Sequence, residues 1–183
     1  MITSRQALDF LHHAEMIRTP DEVGAAVARV ANDINATLSE QHPLVLSVMG
    51  GAVIFTGQLL PRLNFPLDFD YLHVSRYGAK QQGGALHWKV SPGENVAGRV
   101  VLVLDDILDE GETLAAIRQR VLELGAAAFY SAVFADKANG KIKPIRADFT
   151  GMELPDRFVF GFGMDIQGAW RNLPAIYAVK KQP

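Results

Sequence analysis

An acidic cluster that directly follows a short apolar run carries the most informative chemistry in this sequence. Residues 100–113 read VVLVLDDILDEGET. The carboxylates of Asp105 and Asp106 suit sugar hydroxyls and Mg²⁺. The turn at 110–113 offers backbone N–H groups, a helix N-terminus and the Thr113 hydroxyl, which together bind a phosphate monoester. Gly111 lets the backbone come close to the anion. The segment therefore predicts a binding site for a sugar phosphate.

The alternative interpretation is a strand followed by an acidic, solvated helix cap. Acidic residues favour the first turn of a helix, which would account for Glu110 and Glu112. It does not account for Asp105 and Asp106, which come straight after five apolar residues.

Short apolar runs alternate with helical patterns along most of the chain. Strands are expected at 44–48, 69–74, 100–104 and 127–135, which indicates an open α/β domain with a parallel sheet and helices on both faces. Ligands bind beyond the carboxyl ends of such strands. That rule selects Met49-Gly50-Gly51, the segment 105–113, and Asp136-Lys137.

Capping residues mark the helices that position these strands. Thr19 is expected to cap a helix with Pro20 in its first turn and Glu22 three residues after the cap. Further helices are expected at about 4–17, at 53–63 and after Thr113, the last one ending at Gly125.

Composition narrows the class of protein. A chain of 183 residues, 49% of them apolar, is expected to form one globular domain. The absence of cysteine excludes disulfides, thiol catalysis and Cys-containing zinc sites. A net charge of −2 argues against bulk nucleic acid or an anionic membrane as the main partner. With charged residues near the start and no long apolar run, a cytoplasmic domain is expected.

Two polar segments have two interpretations each. The glycine-rich stretch 77–84 is either a surface hairpin or a mobile lid. Lys137, Lys141 and Lys143 form either a solvated basic loop or a segment that contacts a ligand.

The acidic segment resembles the phosphoribosyl-pyrophosphate motif of the type I phosphoribosyltransferases. From about residue 44 to 177 the chain is similar to the hypoxanthine-guanine branch of that family. Five further segments occur along the chain in the family's order. They are the pyrophosphate loop at 46–51, the start of a lid at 74–78, a purine-contacting lysine segment at 135–137, a base-stacking segment at 154–165 and a closing basic motif at 170–174.

The resemblance implies an open, mostly parallel twisted sheet flanked by helices, with a small hood built from the terminal segments. It implies one domain over 1–183, with N-terminal helices to about 43, a core at about 44–150, and the hood and final strand at about 151–183. It also implies a homodimer or homotetramer.

Roles at the sugar-phosphate end follow from the resemblance, position by position. Asp105 and Asp106 would hold the ribose hydroxyls, directly or through Mg²⁺, while Glu110, Gly111, Glu112 and Thr113 would bind the 5′-phosphate. The remaining contacts to the donor would come from Met49, Gly50, Gly51 and Arg171.

Roles at the base follow in the same way. Asp109 would sit near purine N7 as general base or acid, and Lys137 would donate to O6. Phe158 would stack on the base while the Val159 backbone reads its edge. Asp165 would help to bind a second Mg²⁺ beside the purine, and Ser75, Arg76 and Tyr77 would begin the lid.

Four positions depart from the family's usual pattern. Met49 stands where a lysine is common, and Asp105 is shorter than the usual glutamate. Glu112 is an acid close to a phosphate, which is unfavourable unless it points away. Arg76 replaces a small residue and could supply the cation that the loop at 49–51 lacks.

Two function classes remain open at this point. The first is a salvage enzyme that makes IMP or GMP from hypoxanthine or guanine and phosphoribosyl pyrophosphate, with a xanthine-preferring enzyme as its near rival. The second is a non-catalytic regulator on the same fold that binds nucleic acid. The charge of −2 and the presence of Asp109 favour the enzyme.

Overall fold

A computed structural model describes residues 2–76 and 86–180. The helices in this part of the chain are α1 (Ser4–His13), α2 (Pro20–Leu38), α3 (Val53–Leu59) and α4 (Glu112–Glu123). The strands are β1 (Ala14–Arg18), β2 (Leu44–Val48), β3 (Asp68–Arg76), β4 (Leu86–Val90), β5 (Val100–Leu108), β6 (Ala128–Ala138), β7 (Phe149–Pro155), β8 (Val159–Phe160) and β9 (Ile176–Val179). Short 3₁₀ turns lie at Leu60–Arg62 and Glu94–Val96.

The main sheet has six strands in the order β4-β3-β2-β5-β6-β7. Every neighbouring pair is parallel except β3 and β4, so the predicted open, mostly parallel α/β sheet is confirmed. Apolar side chains on one face pack with α2 and α3, and those on the other face pack with α4. The buried strands β2 and β5 sit at the centre and carry their following loops to one edge.

The cap of α2 is the one that the sequence predicts. The Glu22 amide donates to the Thr19 hydroxyl over 3.3 Å, and the Thr19 amide donates to the Glu22 carboxylate over 2.7 Å. These bonds favour the charged carboxylate and lower the pKa of Glu22. Val23, Val27 and Val30 lie buried on the core face of the helix. Gly125 ends α4 with a φ of +84°, as expected.

The predicted helix at 4–17 is wrong over its last four residues. Helix α1 ends at His13, and residues 14–18 form β1, which pairs antiparallel with β9 near the other end of the chain. Helix α1 buries none of its residues, so it gains little from packing, whereas the strand gains a partner. Local periodicity carries no information about such a distant partner.

Strands β1, β9 and β8 form a second sheet, the hood, from the two terminal segments. Its strands are antiparallel, with Ala14 opposite Val179 and Val159 opposite Ala178. In the described parts of the chain we find no helix with the length and apolarity needed to cross a bilayer.

Candidate active site

A cavity of about 520 Å³ opens at the carboxyl ends of β2, β3 and β5. Most of the predicted site residues line it: Met49, Gly50, Gly51, Ser75, Asp105, Asp106, Asp109, Glu110, Gly111, Thr113, Asp165 and Arg171. The sequence reaches this arrangement because parallel strands deliver their loops to the same edge of the sheet.

Several predicted residues do not line this cavity. Lys137, Phe158 and Val159 lie beside it, as described below, and Glu112 is exposed on the first turn of α4. Glu112 therefore keeps its charge away from the cavity. Arg76 ends β3, and its side chain lies outside the described residues, as does Tyr77 with the rest of the expected lid at 77–84.

Asp105 and Asp106 are adjoining acids of the cavity, the first buried and the second half-buried. Strand β5 runs through them to Leu108, beyond the boundary expected at Leu104, because its pairing with β6 continues to Asp136. Each carboxylate accepts the next backbone amide, from Asp106 over 2.9 Å and from Ile107 over 3.0 Å. These local bonds fix the two side chains.

Burial sets the electrostatics of this pair. It raises the pKa of Asp105 well above the usual range, and the Asp106 carboxylate beside it raises that pKa further. Burial also raises the pKa of Asp106, partly offset by hydrogen bonds with Asp105 and Ile107 and by the charge of the nearby Arg171. Two adjoining carboxylates, one buried and one half-buried, are therefore poised to gain a cation or hydroxyl donors.

No cluster of three acids or histidines that could hold a metal ion occurs at 2–76 or 86–180. Asp105 and Asp106 provide two hard oxygen donors, which fits Mg²⁺, because that ion commonly takes one or two carboxylates and completes its shell with water and substrate phosphates. The Asp165 carboxylate, also in the cavity, lies 2.5 Å from the Arg171 guanidinium and accepts the Gly168 amide over 2.7 Å.

Residues 110–113, at the turn after β5 and the start of α4, are the segment predicted to bind phosphate and are called the phosphate-binding loop below. Gly111 precedes α4 with a φ of +82°, a conformation that favours glycine. A Cβ atom at this position would meet the Lys143 Cβ and the Pro144 Cδ at 3.3 Å each. The loop is thus held from behind by the segment after β6.

The loop after β2, Met49-Gly50-Gly51, approaches the acids by close packing. A Cβ atom at Gly51 would lie 2.0 Å from an Asp106 carboxylate oxygen. A Cβ atom at Gly163 would lie 2.0 Å from the Gly51 carbonyl. The Met49–Gly50 peptide is cis, and the Met49 amide donates to the Leu72 carbonyl over 2.8 Å. Glycine is required at both contacts because a side chain has no room.

Asp109 is held by the last residues of β6 and by the segment that follows it. The Lys137 ammonium donates to one carboxylate oxygen over 3.1 Å, and the Asn139 amide donates to the other over 3.2 Å. Asn139 also donates to the Asp109 carbonyl over 2.9 Å. The prediction did not include Asn139, since it lies thirty residues away in sequence and its role depends on the fold.

The lysines after β6 contact oxygen atoms of the acidic segment and of the strand ends, although Lys141 itself stays exposed. Lys141 lies 2.5 Å from the Glu110 carboxylate, which raises the pKa of the lysine, and Lys143 is buried among oxygen atoms of β5 and β6. The excess of acids at 105–112 was the available sequence signal, because buried or crowded carboxylates need nearby cations.

The base side of the site begins at Lys137. The Lys137 side chain is 15% exposed, and its ammonium bonds to Asp109 and lies 4.0 Å from the Asp156 carboxylate. Phe158, two residues after Asp156, exposes 57% of its surface, and Val159 lies buried in β8. An uncovered aromatic ring next to a lysine and a carboxylate is suited to a planar, polar base.

Arg157 fixes this aromatic residue to the hood. Its guanidinium contacts the Glu15 carboxylate at 2.7 Å and donates to the Val179 carbonyl over 3.1 Å. The Phe158 carbonyl accepts the Val179 amide over 2.9 Å. Sequence reasoning did not find Arg157, because its partners lie on β1 and β9.

Comparisons with known proteins agree with this site. Residues 13–167 match the model of the phosphoribosyl transferase domain. The chain therefore belongs to the phosphoribosyltransferase family, which the acidic segment predicts.

Similar proteins narrow the branch. The hypoxanthine-guanine phosphoribosyltransferase of Lactococcus lactis is 33% identical over 143 residues, which are 78% of each chain. That of Streptococcus pneumoniae is 29% identical over 163 residues, covering 88% of this chain and 91% of that protein. A crystal structure of a hypoxanthine phosphoribosyltransferase from Staphylococcus aureus has a TM-score of 0.86 at 24% identity, covering 98% of this chain and 97% of that one. Its fold is the fold described above.

Proposed function

We propose that this protein transfers the 5-phosphoribosyl group from phosphoribosyl pyrophosphate to hypoxanthine or guanine, which gives IMP or GMP and pyrophosphate. One observation carries the proposal. The adjoining acids Asp105 and Asp106, the phosphate-binding loop and the Asp109–Lys137 pair follow one another around a single cavity edge. The relatives named above act in the same reaction class.

The sugar phosphate is bound at the end of β5. The loop at 110–113 holds the 5′-phosphate through backbone amides and the Thr113 hydroxyl, because a helix N-terminus favours an anion. Asp105 and Asp106 hold the ribose hydroxyls and are the residues that would bind Mg²⁺. When bound, this ion neutralises charge on the leaving pyrophosphate. The same carboxylates stabilise positive charge that develops on the ribose ring.

Pyrophosphate is bound on the opposite wall of the cavity. The backbone of Met49-Gly50-Gly51 and the Arg171 guanidinium supply its contacts, and Asp165 holds Arg171 in place. As proposed from the resemblance, Asp165 also contributes to a second magnesium site. Ser75, with Arg76 and Tyr77 after it, begins the lid that excludes water, since water in the site would hydrolyse the donor.

The purine is bound between the hood and β6. Phe158 stacks on the ring, the Val159 backbone reads its Watson–Crick edge, and Lys137 donates to O6. Asp109 takes or returns the proton of the attacking imidazole ring. The reaction needs this step because the ring nitrogen that attacks must be free of its proton. When O6 draws Lys137 toward the base, one oxygen of Asp109 loses this ion pair and is left available to accept the proton.

The direct test is turnover of hypoxanthine, guanine and xanthine with phosphoribosyl pyrophosphate and Mg²⁺. We expect the first two bases to be converted, and a clear preference for xanthine would support the rival specificity. A salt-dependent affinity for nucleic acid without turnover would support the regulator and overturn the enzyme. Calorimetry with donor and Mg²⁺ separates a failed assay from an absent site.

We also propose that residues 1–183 act as one phosphoribosyltransferase domain in a cytoplasmic homodimer or homotetramer, as the family resemblance implies. Light scattering of the purified protein measures the oligomeric state. A monomer at working concentrations would contradict the oligomer without affecting the proposed reaction.

A further inference from the structure

Lys143 places its ammonium where the β5–β6 ladder ends. The last paired residues are Leu108 and Asp136. Beyond them the ammonium donates to the Leu108 carbonyl over 2.7 Å, to the Lys137 carbonyl over 2.8 Å and to the Asp136 carboxylate. The side chain is 12% exposed. A lysine has three N–H donors, and here each one has an oxygen partner.

These partners join the backbones of two residues that must act on the same purine. Leu108 directly precedes Asp109, and the second carbonyl belongs to Lys137 itself. In the proposed function Asp109 addresses N7 and Lys137 addresses O6, which are neighbouring atoms on one edge of the base. The ammonium therefore bridges the two strands at the point where the separation of Asp109 and Lys137 is set.

We propose that Lys143 is a positioning residue that fixes Asp109 and Lys137 at the spacing required by a 6-oxopurine. This assignment rests on the proposed function for the identity of the base. Lys143 has two separable parts. Its ammonium bridges β5 and β6, and its stem packs behind Gly111 in the phosphate-binding loop.

The variant Lys143→Met keeps the stem and removes the ammonium. We expect kcat/KM for hypoxanthine and guanine to fall by about 10- to 100-fold, because small displacements of reacting groups cost this much. The KM for phosphoribosyl pyrophosphate should change by less than about threefold, since the phosphate-binding loop keeps its packing. Lys143→Ala keeps the Cβ atom that faces Gly111, so it should also leave the KM for the donor within about threefold while lowering kcat/KM for the base.

Arg146→Met is the matched control. Arg146 is an exposed cation on the same segment, and it forms no ion pair with any residue that the structure describes. We expect its kinetic constants to match those of the unmodified protein. Asp136→Asn is a milder second variant, because the amide oxygen still accepts a hydrogen bond, and it should give a smaller loss of the same kind.

Hydrogen exchange supplies a readout that does not depend on turnover. In Lys143→Met we expect faster amide exchange in 106–110 and 136–140 and unchanged exchange in α4. Unchanged exchange in both segments, or kinetic constants equal to those of Arg146→Met, would overturn the role of Lys143. An unmodified protein that is inactive on all three bases would overturn the proposed function, while the exchange data still test the bridge.

Discussion

The loops after β2 and β5 meet in one cavity but are built on different principles. The loop after β5 carries charge, and three lysines from the end of β6 and the segment after it contact its residues or the strand end beneath it. The loop after β2 has no charged residue and is held by contacts that leave no room for a Cβ atom. One loop is positioned by ion pairs and the other by close packing. Substitutions should therefore impair the first loop by removing charge and the second by adding volume.

The largest effect is expected in the charged loop. Asp109→Asn should lower kcat by about 10²–10⁴-fold, since an amide cannot take the proton of the purine. Single-turnover kinetics with hypoxanthine measures this loss at saturating donor.

Asp33→Asn, at an exposed position of α2, is the control for a general effect of losing a carboxylate. Near-normal turnover of Asp109→Asn would remove Asp109 from the catalytic role.

Gly51→Ala should give the next largest effect, through shape. Its Cβ atom would lie 2.0 Å from an Asp106 oxygen and 2.4 Å from the Asp106 Cγ, so the carboxylate or the loop must shift. A misplacement of this size lowers kcat/KM for the donor by about 10²-fold. Steady-state kinetics at varied phosphoribosyl pyrophosphate measures it.

Gly57→Ala is the matched control, because a Cβ atom at that position of α3 meets nothing within 4 Å. If both glycine variants have the same kinetics, close packing does not position the loop after β2.

Met49→Lys would give the loop after β2 the charge that it lacks. We expect the KM for phosphoribosyl pyrophosphate to fall by about three- to tenfold, which corresponds to a partly exposed charged contact of ~1 kcal/mol. Met16→Lys on β1 is the control, since that methionine is also accessible and lies outside the cavity. An unchanged KM would mean that the charge of this loop does not limit donor binding.

The smallest effect concerns stability and pH. Burial and Asp106 raise the pKa of Asp105 in the folded protein, so the folded state retains this proton more strongly than the unfolded chain does. The free energy of unfolding should therefore fall as the pH rises above the usual range of aspartate. Asp105→Asn should reduce that slope and stabilise the metal-free protein by ~1 kcal/mol at pH 8.

Urea unfolding at pH 5 and pH 8 without divalent metal measures both effects. Asp33→Asn again serves as the control, because its carboxylate lies at an exposed position. Equal dependence of the unfolding free energy on pH for Asp105→Asn and the unmodified protein would show that burial does not destabilise the charged Asp105 carboxylate.

The sequence predicts the parts of the fold that depend on neighbours along the chain. The cap formed by Thr19 and Glu22 is local, and so is the αL residue Gly125, and both predictions are confirmed. The apolar runs of β2 and β5 were recognised because both faces of these strands are buried. The acids Asp105 and Asp106 were located by the apolar run at the start of β5, although the strand continues through them.

The parts that depend on distant partners were missed or wrong. Strand β1 was expected to be helical, since only β9 makes it a strand. Lys143 was one of three lysines in a polar loop, and nothing in its local sequence marks it as buried. Arg157 and Asn139 also act on residues far away in the chain. The sequence identified the acids of the site, whereas only the fold shows which cationic side chains contact them.

The antiparallel hood also has a consequence for protein synthesis. Phe158 precedes β8, and β8 pairs with β9, the last described strand to leave the ribosome. The six-stranded sheet is complete once β7 has emerged, whereas the hood must also join β1 to β9 across nearly the whole chain. A nascent chain therefore has all strands of the six-stranded sheet before it can complete the hood beside Phe158, which needs β9 as well.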